Sequence, residues 1–380
     1  MSSDNTGLVL VGIGGGGCRM AAAARQVHGD GLTAIGFDTD EVAIRCVDGL
    51  RCQLIGATRL NKQGTGGVHS NGHLAAQDDL PMILEQFRDA RVVVVVTCLG
   101  GGTGGGATPI ILKALHGEGK VTLCFATLPF AFEGAARRQS AEGDRPFIEQ
   151  VADTLVDVPL DDLYAGLAPA TLPEAARQAD AVMGSGLGLL WRLLLTPGYI
   201  RFDPARLQNM LMGAGSARYG YAAASGESRA EAAVAALAQA PLLRQGKSLS
   251  AARALVLGIL AGPDLRLAEI STLMHGLAAT CRKDVHVEMG VVLDPRFAGR
   301  IELVALAFES WVPAERRVER SGSDGEHLGD LLGRNGQRDA KLGVGVGKFH
   351  GVEKTIYKGV DGIEDLDIPT YQRRLILLER

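Results

Sequence analysis

Val92-Val-Val-Val-Val-Thr-Cys-Leu-Gly-Gly-Gly-Thr-Gly-Gly-Gly-Ala-Thr-Pro109 decides the fold of this chain. Val92 to Thr97 is continuously β-branched, which suits a strand buried on both faces, since an alternating pattern would leave one side for water. The loop Gly100 to Gly106 carries one side chain, Thr103, and a helical pattern through Ile110 to Leu115 follows it. A strand that runs into glycines and then a helix suits a phosphate. Small residues let the backbone approach, and the first-turn N–H groups and helix dipole favour an anion.

The same grammar occurs upstream. Leu8 to Val11 leads into Gly12-Ile-Gly-Gly-Gly-Gly17 and an Ala-rich helix from about Met20; Leu32 to Phe37 reads as another strand, ending in Asp38-Thr-Asp40, and Val121 to Ala126 as a further one. Apolar runs alternating with helices predict a doubly wound α/β domain with a parallel sheet. Gly12-x-Gly14-x-x-Gly17 with Asp38 at the end of the next strand is formally the dinucleotide fingerprint, the acid standing where a ribose would be bound. A dinucleotide needs one diphosphate loop, however, and two glycine loops on one sheet suit a triphosphate. Gly64-Thr65-Gly66-Gly67 is a third candidate, placed to close over a γ-phosphate, and a plain flexible loop reads equally well there. No Gly-x-x-x-x-Gly-Lys-Ser/Thr occurs, so this is not a P-loop chain.

From Pro173 to Leu195 the pattern is one long helix, with Thr171 before it and Pro197-Gly198 after it. Phe202 to Leu243 reads as mostly helical, with Ser225-Gly-Glu-Ser opening a helix over Arg229 to Ala240. Strand-like runs at Ala254 to Leu260, Val285 to Leu293 and Ile301 to Phe308, with a helix over Leu267 to Cys281, predict an α+β second half. After Pro313 the composition turns to Glu, Arg, Gly, Ser and Asp, which predicts a flexible linker.

Composition narrows the classes. Fifty-one glycines and 14 prolines in 380 residues, with 46% hydrophobic residues and no Gly-X-Y period, exclude collagen-like and disordered chains. A net charge of −4 supplies no basic field for nucleic acid or an acidic membrane. Six scattered cysteines form no C-x-x-C pair or metal-spaced cluster, so reduced thiols are expected and no protein metal site. The amino terminus lacks a basic segment before its apolar run and nothing approaches a spanning helix, so a cytoplasmic protein without direct membrane insertion is expected.

Gly100-Gly-Gly-Thr-Gly-Gly-Gly-Ala-Thr-Pro109 resembles the signature loop of the tubulin/FtsZ family. Val11 to Gly17, Asp38-Thr-Asp40, Pro129-Phe-Ala-Phe-Glu-Gly134 with Arg137, and Thr196-Pro-Gly198 fit the bacterial FtsZ branch in order. Ala224 to Glu231, Pro241-Leu-Leu243 and the tail peptide Asp365-Leu-Asp-Ile-Pro-Thr-Tyr371 resemble it further. The resemblance implies a Rossmann-like tubulin/FtsZ nucleotide-binding domain over residues 1–170, a long central helix over 171–198 and an α+β C-terminal domain over 199–313. A flexible linker over 314–363 and a partner-binding peptide over 364–380 complete it. It implies a cytoskeletal protein of bacterial cell division at the division site, polymerising head to tail with GTP or GDP between subunits and Mg²⁺ held through phosphates.

Residue by residue, the resemblance assigns Gly15, Gly16, Gly17, Cys18 and Arg19 to the first phosphate loop. Asp38, Asp40, Thr65, Gly66, Gly101, Gly102, Thr103 and Gly104 join the nucleotide contacts. Glu133 and Arg137 match the pair that holds ribose and phosphate. Asp180 matches the group that reads guanine, since a carboxylate there accepts from both N1–H and the 2-amino group. The family's stacking aromatic is absent, with Ala176 one turn earlier. Residues 365–374 match the peptide that docks on a division-ring membrane anchor such as the actin-like protein FtsA. An alternation of acids and apolar anchors on a tether of roughly fifty residues suits a partner groove.

The catalytic loop departs from the family. Where the pattern is Asn-x-Asp-x-x-Asp, this chain has Arg201-Phe-Asp203-Pro-Ala-Arg206. A carboxylate orients and partly deprotonates water, whereas a guanidinium has no acceptor and stays charged. Against a γ-phosphate it attracts by about 4 kcal/mol at 4 Å and an effective dielectric near 20, before desolvation. Either Arg201 and Arg206 clamp a neighbour's triphosphate and turnover is slow, or one of them acts as a finger in trans while Asp203 orients water. The resemblance therefore implies a GTPase activated by polymerisation and weakened by the two arginines. The competing classes are a nucleotide-bound structural filament without turnover and an NAD-binding oxidoreductase.

Overall fold

The computed structural model describes residues 7–28, 32–164, 171–195, 199–200, 203–212, 215–312, 345–349 and 352–356. It divides into one unit over Met1–Trp311 and another over Val312–Arg380. In the first unit one ten-stranded sheet runs in the order β3-β2-β1-β4-β5-β6-β7-β10-β8-β9. Its strands are β1 (Leu8–Ile13), β2 (Ala34–Asp38), β3 (Arg51–Leu54), β4 (Val92–Cys98), β5 (Val121–Leu128), β6 (Thr154–Pro159), β7 (Gly215–Ser225), β8 (Ala254–Ala261), β9 (His286–Leu293) and β10 (Arg300–Phe308). Strands β1 to β6 pair in parallel, and β7 continues that sense beside β6 before β10 reverses it.

The valine run shows why the first half is doubly wound. Val92, Val94 and Val96 join the core with α1 (Gly14–His28) and α8 (Leu172–Leu195), through Met20, Ala21, Leu187 and Leu190. Val93 and Val95 enter the opposite core, with Ile111, Leu112 and Leu115 of α5 (Gly102–Gly117) and Ile148 of α6 (Ala135–Val151). Successive side chains point to opposite faces. The opposite face also carries α3 (His69–Asp78) and α4 (Leu80–Glu85). A third core joins α10 (Arg229–Ala238) and α12 (Leu267–Thr280) to β8 and β10.

The long helix begins as expected: Thr171 donates to Glu174 Oε2 from its amide at 2.8 Å and from its hydroxyl at 2.6 Å. It packs on α1 with little side-chain cushion, since a β-carbon at Gly184 would lie 2.9 Å from the Ala23 carbonyl carbon. Two expectations are corrected. Residues 215–225, read within a mostly helical stretch, form β7, because nine residues pair antiparallel with β10. Helix α1 starts at Gly14, six residues before Met20, so the glycines belong to the helix itself. Within the segment expected as linker, Gly345–Phe349 and Val352–Ile356 pair as an antiparallel hairpin, β11 and β12. Pro197-Gly198 and the tail peptide 365–374 lie outside the described residues.

Candidate functional site

Strands β1 and β4 deliver the chain directly into α1 and α5, and only glycine lets those helices start so close to the sheet. A β-carbon at Gly17 would lie 2.3 Å from the Val96 carbonyl oxygen, and one at Gly104 would lie 2.2 Å from that of Cys98. The α5 N-cap, Gly101, offers no side chain to the first-turn amides, and neither helix carries an acid in its first turn. The amides ahead of the first intrahelical bond, Gly105 N–H to Gly101 O at 3.0 Å, therefore keep the positive helix end uncompensated. Such a pocket of backbone donors fits phosphate.

The loops lock to one another. A β-carbon at Gly14 would stand 3.3 Å from the Gly104 nitrogen. The Thr39 and Thr103 hydroxyls share a 2.7 Å hydrogen bond, both buried. At Gly102 a β-carbon would meet Thr65 Oγ1 at 2.3 Å, which seats the third loop on the signature loop. Over Gly101, Gly66 and Gly67 the space is open, with no protein atom within 4 Å of a β-carbon built there. Thr39 is a site residue that sequence reasoning missed; its only signal was its place between Asp38 and Asp40.

Around this cradle, Arg19 reaches Asp180 across α1 and α8, Nε to Oδ2 at 3.9 Å. Burial raises the Asp180 carboxyl above its ordinary range, opposed by the Arg19 charge. Glu133 pairs with Arg137 at 3.1 Å and accepts from the Phe130 amide at 2.9 Å. The Arg137 carbonyl abuts Gly100, 2.6 Å from a β-carbon there, which brings α6 onto the signature loop.

Other predicted residues face inward. Asp38 is buried, accepts from the Thr39 amide at 2.7 Å, and has its carboxyl raised by burial. It therefore does not present a free carboxylate to a ribose, which removes the main support for the dinucleotide reading. Asp40 caps α2 (Glu41–Arg45), accepting from the Val42 amide at 2.8 Å and the Ala43 amide at 3.2 Å. The Cys18 thiol donates to the carbonyls of Gly12 and Phe37, at 3.4 and 3.7 Å, and its hydrogen bond with Cys52, then burial, pushes it well above the ordinary range. Gly15 lies beside the Asp38 carboxylate and Gly16 beside Cys98 Sγ.

The catalytic-loop residues stand elsewhere. Asp203 caps α9 (Pro204–Met212), accepting from the Ala205 amide at 2.9 Å. Arg206 is exposed and donates to Glu288 Oε1 at 3.2 Å. The same oxygen is bonded by His286 Nε2 at 3.2 Å, and that imidazole stacks on Trp311. Arg201 lies outside the described residues. Leu211 of α9 accepts from the Thr154 hydroxyl at 2.7 Å, at the first residue of β6. Helix α9 therefore lies at the amino-terminal edge of the parallel strands, and the cradle lies at their carboxyl ends. From Asp180 to Leu195, α8 alone spans about 22 Å at 1.5 Å per residue.

Among the described residues no three His, Cys, Asp or Glu side chains gather to hold a metal, and no helix is long and apolar enough to cross a membrane. Residues 7–167 match the GTPase-domain model of the tubulin/FtsZ family, and residues 215–309 match the C-terminal-domain model of the FtsZ family. The chain is 30% identical over 327 residues to the cell division protein FtsZ of Bartonella bacilliformis, covering 83% of this chain and 55% of that protein. It thus spans about half the length of that relative. It is 29% identical over 290 residues to cell division protein FtsZ 1 of Archaeoglobus fulgidus, covering 76% of this chain and 78% of the relative. In fold it is similar to an empty FtsZ dimer from M. jannaschii, with TM-score 0.74, 24% identity, and 79% and 87% of the two chains covered. It is also similar to CetZ2 from Haloferax volcanii in a GTPγS-bound protofilament, with TM-score 0.65, 23% identity, and 85% and 99% covered.

Proposed function

The chain belongs to the tubulin/FtsZ family, and from that premise we propose that it binds GTP in the glycine cradle and assembles head to tail, each copy meeting its neighbour's nucleotide. One observation carries this reading. The cradle occupies the carboxyl edge of the parallel strands, and Asp203 and Arg206 occupy the amino edge. Within one chain they cannot meet. A second copy stacked on the first unites them, and a heterologous contact of that kind propagates into a filament.

Backbone amides of α1 and α5 hold the phosphates, Glu133 and Arg137 the ribose and an adjoining phosphate, and Asp180 the guanine edge. A Mg²⁺ ion bound with the triphosphate would offset its negative charge. Arg206 contributes a cation to the neighbour's triphosphate. Its guanidinium is 68% exposed and free to turn toward a phosphate, while the largely buried Glu288 carboxylate keeps its bond to His286 Nε2. The clamp predicts slow turnover, with Asp203 the remaining carboxylate available to orient water. A role in cell division, with the tail peptide docking on a membrane anchor at the division site, extends the same reading.

The test is sedimentation and phosphate release with GTP or GDP, for wild type and Arg206→Asp. GTP-dependent pelleting with slow release, accelerated in the variant, is expected. Pelleting indifferent to nucleotide would overturn the assembly reading. Fast release by wild type that the variant abolishes would replace the clamp with a finger acting in trans.

A further inference from the structure

His69 is the first residue of α3, directly behind the third glycine loop, and three elements converge on its ring. Its Nδ1 lies 2.7 Å from Asp144 Oδ1, and its Nε2 lies 2.6 Å from the Ser140 hydroxyl. Ser140 and Asp144 are one turn apart on α6, the helix that begins beside Glu133 and carries Arg137. Ring and carboxylate fill a notch in α5: a β-carbon at Gly105 would lie 2.1 Å from Asp144 Oδ2 and 2.6 Å from His69 Cε1. The His69 carbonyl oxygen would lie 2.2 Å from one at Gly106. Burial raises the Asp144 carboxyl, against the hydrogen bond and charge of His69 and a hydrogen bond from the Gly100 amide of the signature loop.

A serine, a histidine and an aspartate at these distances match the constellation of an activated nucleophile. Ser140, however, sits inside α6, where the surrounding amides are spent on the helix and none awaits an oxyanion. What the cluster does join is the exit of the third loop, the first turns behind the signature loop, and the helix of the ribose-binding pair. The Val68 N-cap offers α3 no side-chain bond; within the loop's exit Asn71 Nδ2 donates to the Thr65 carbonyl at 3.2 Å, and the His69 cluster is what ties that turn to α5 and α6.

We propose that His69 is the positioning residue of the third loop: held by Ser140 and Asp144 in the Gly105 notch, it keeps Gly64 to Gly67 over the cradle and sets the preference for a nucleoside triphosphate over a diphosphate. This rests on the guanine-nucleotide reading above. In the neutral imidazole, Nδ1–H donates to Asp144 and Nε2 accepts from the Ser140 hydroxyl, which fixes the ring at both ends.

The experiment is calorimetric titration of GTPγS and of GDP into wild type, His69→Ala, Ser140→Ala and Asp144→Asn, with thermal unfolding alongside. Loss of the strut is expected to weaken GTPγS about tenfold in His69→Ala, equivalent to about 1.4 kcal/mol, and to leave GDP within about twofold. Ser140→Ala, which removes one oxygen, moves the ratio the same way by a smaller factor. Combining it with His69→Ala adds nothing, because the two act through one contact. GTPγS and GDP weakening in parallel, or an unchanged ratio in all three single variants, overturns the inference and leaves the parent reading standing. Wild-type protein that binds neither nucleotide removes both.

Discussion

Gly101→Ala separates a site from a packing device, because the structure gives this glycine nothing to touch. Its backbone lies at φ −110° and ψ 153°, where alanine is unstrained, and no protein atom stands within 4 Å of a β-carbon. As the α5 N-cap, alanine in place of glycine should cost folding a few tenths to about 1 kcal/mol. Stiffening the unfolded chain should offset this by about 0.4–1 kcal/mol, keeping the melting temperature within about 4 °C of wild type. If phosphates fill that space, the methyl overpacks them at a cost of about 1–3 kcal/mol, which is about five- to 150-fold in affinity. Gly17→Ala is the contrast, since its β-carbon would strike the Val96 carbonyl and folding itself should suffer. The assay is thermal unfolding without nucleotide, paired with calorimetric titration of GTP. GTP affinity within twofold of wild type in Gly101→Ala would refute the placement of phosphates over the signature loop.

Three further outcomes follow from the second half of the sheet and from α8. Arg229 is 5% exposed and bonds Glu269 and Asp264, so Arg229→Ala should cost about 3 kcal/mol in urea unfolding, the half-solvated Asp264 keeping it at the low end, with GTP affinity unchanged. Arg296, with Arg192, holds the Asp294 carboxyl well below its usual range, and Arg229 lowers that of Glu269. Depressed acids contribute stability above their unfolded values of about 3.9 and 4.3 and lose it as pH falls through the folded ones. The urea midpoint should therefore drop below about pH 4, less steeply in Asp294→Asn. Gly186→Ala would set a β-carbon 1.3 Å from Tyr219 Oη, and the forced repacking should cost about 1–3 kcal/mol by the same assay.

The elements legible in the sequence are those whose signal is local. The valine run of β4 and the glycines after β1 and β4 carry their own instructions, because burial on both faces and close backbone approach leave few residue types. Strand β7 was not legible: Gly215 to Ser225 is rich in alanine and glycine, and pairing with β10, about eighty residues away, overrides that helical composition. Strand β6 contains Asp157, which breaks the apolar run, and only the fold reveals Arg145 reaching that carboxylate at 2.8 and 2.9 Å.

The site divides along the same line. Backbone donors were visible as glycine, and Arg19 with Asp180 as a motif match. The Thr39–Thr103 bond, the ring of His69 between Ser140 and Asp144, and the tether of Arg206 to Glu288 join residues far apart in the chain. Side-chain chemistry at such separations has no periodicity to read. Asp38 shows the converse: its spacing after the first loop suited a ribose, but burial turned the carboxylate onto the Thr39 amide.

The seam where α8 meets α1 at Gly184 makes the long helix a lever. An approach so close that a β-carbon at Gly184 would lie 2.9 Å from the Ala23 carbonyl carbon leaves no compressible side chain to absorb a tilt of α1, the helix whose first turn is the phosphate loop. Over the roughly 22 Å from Asp180 to the end of α8, each degree of tilt becomes about 0.4 Å of travel at its far end. In the proposed head-to-tail assembly, the contents of the cradle would thereby gain mechanical purchase on the opposite edge of the sheet, against which the next copy would rest.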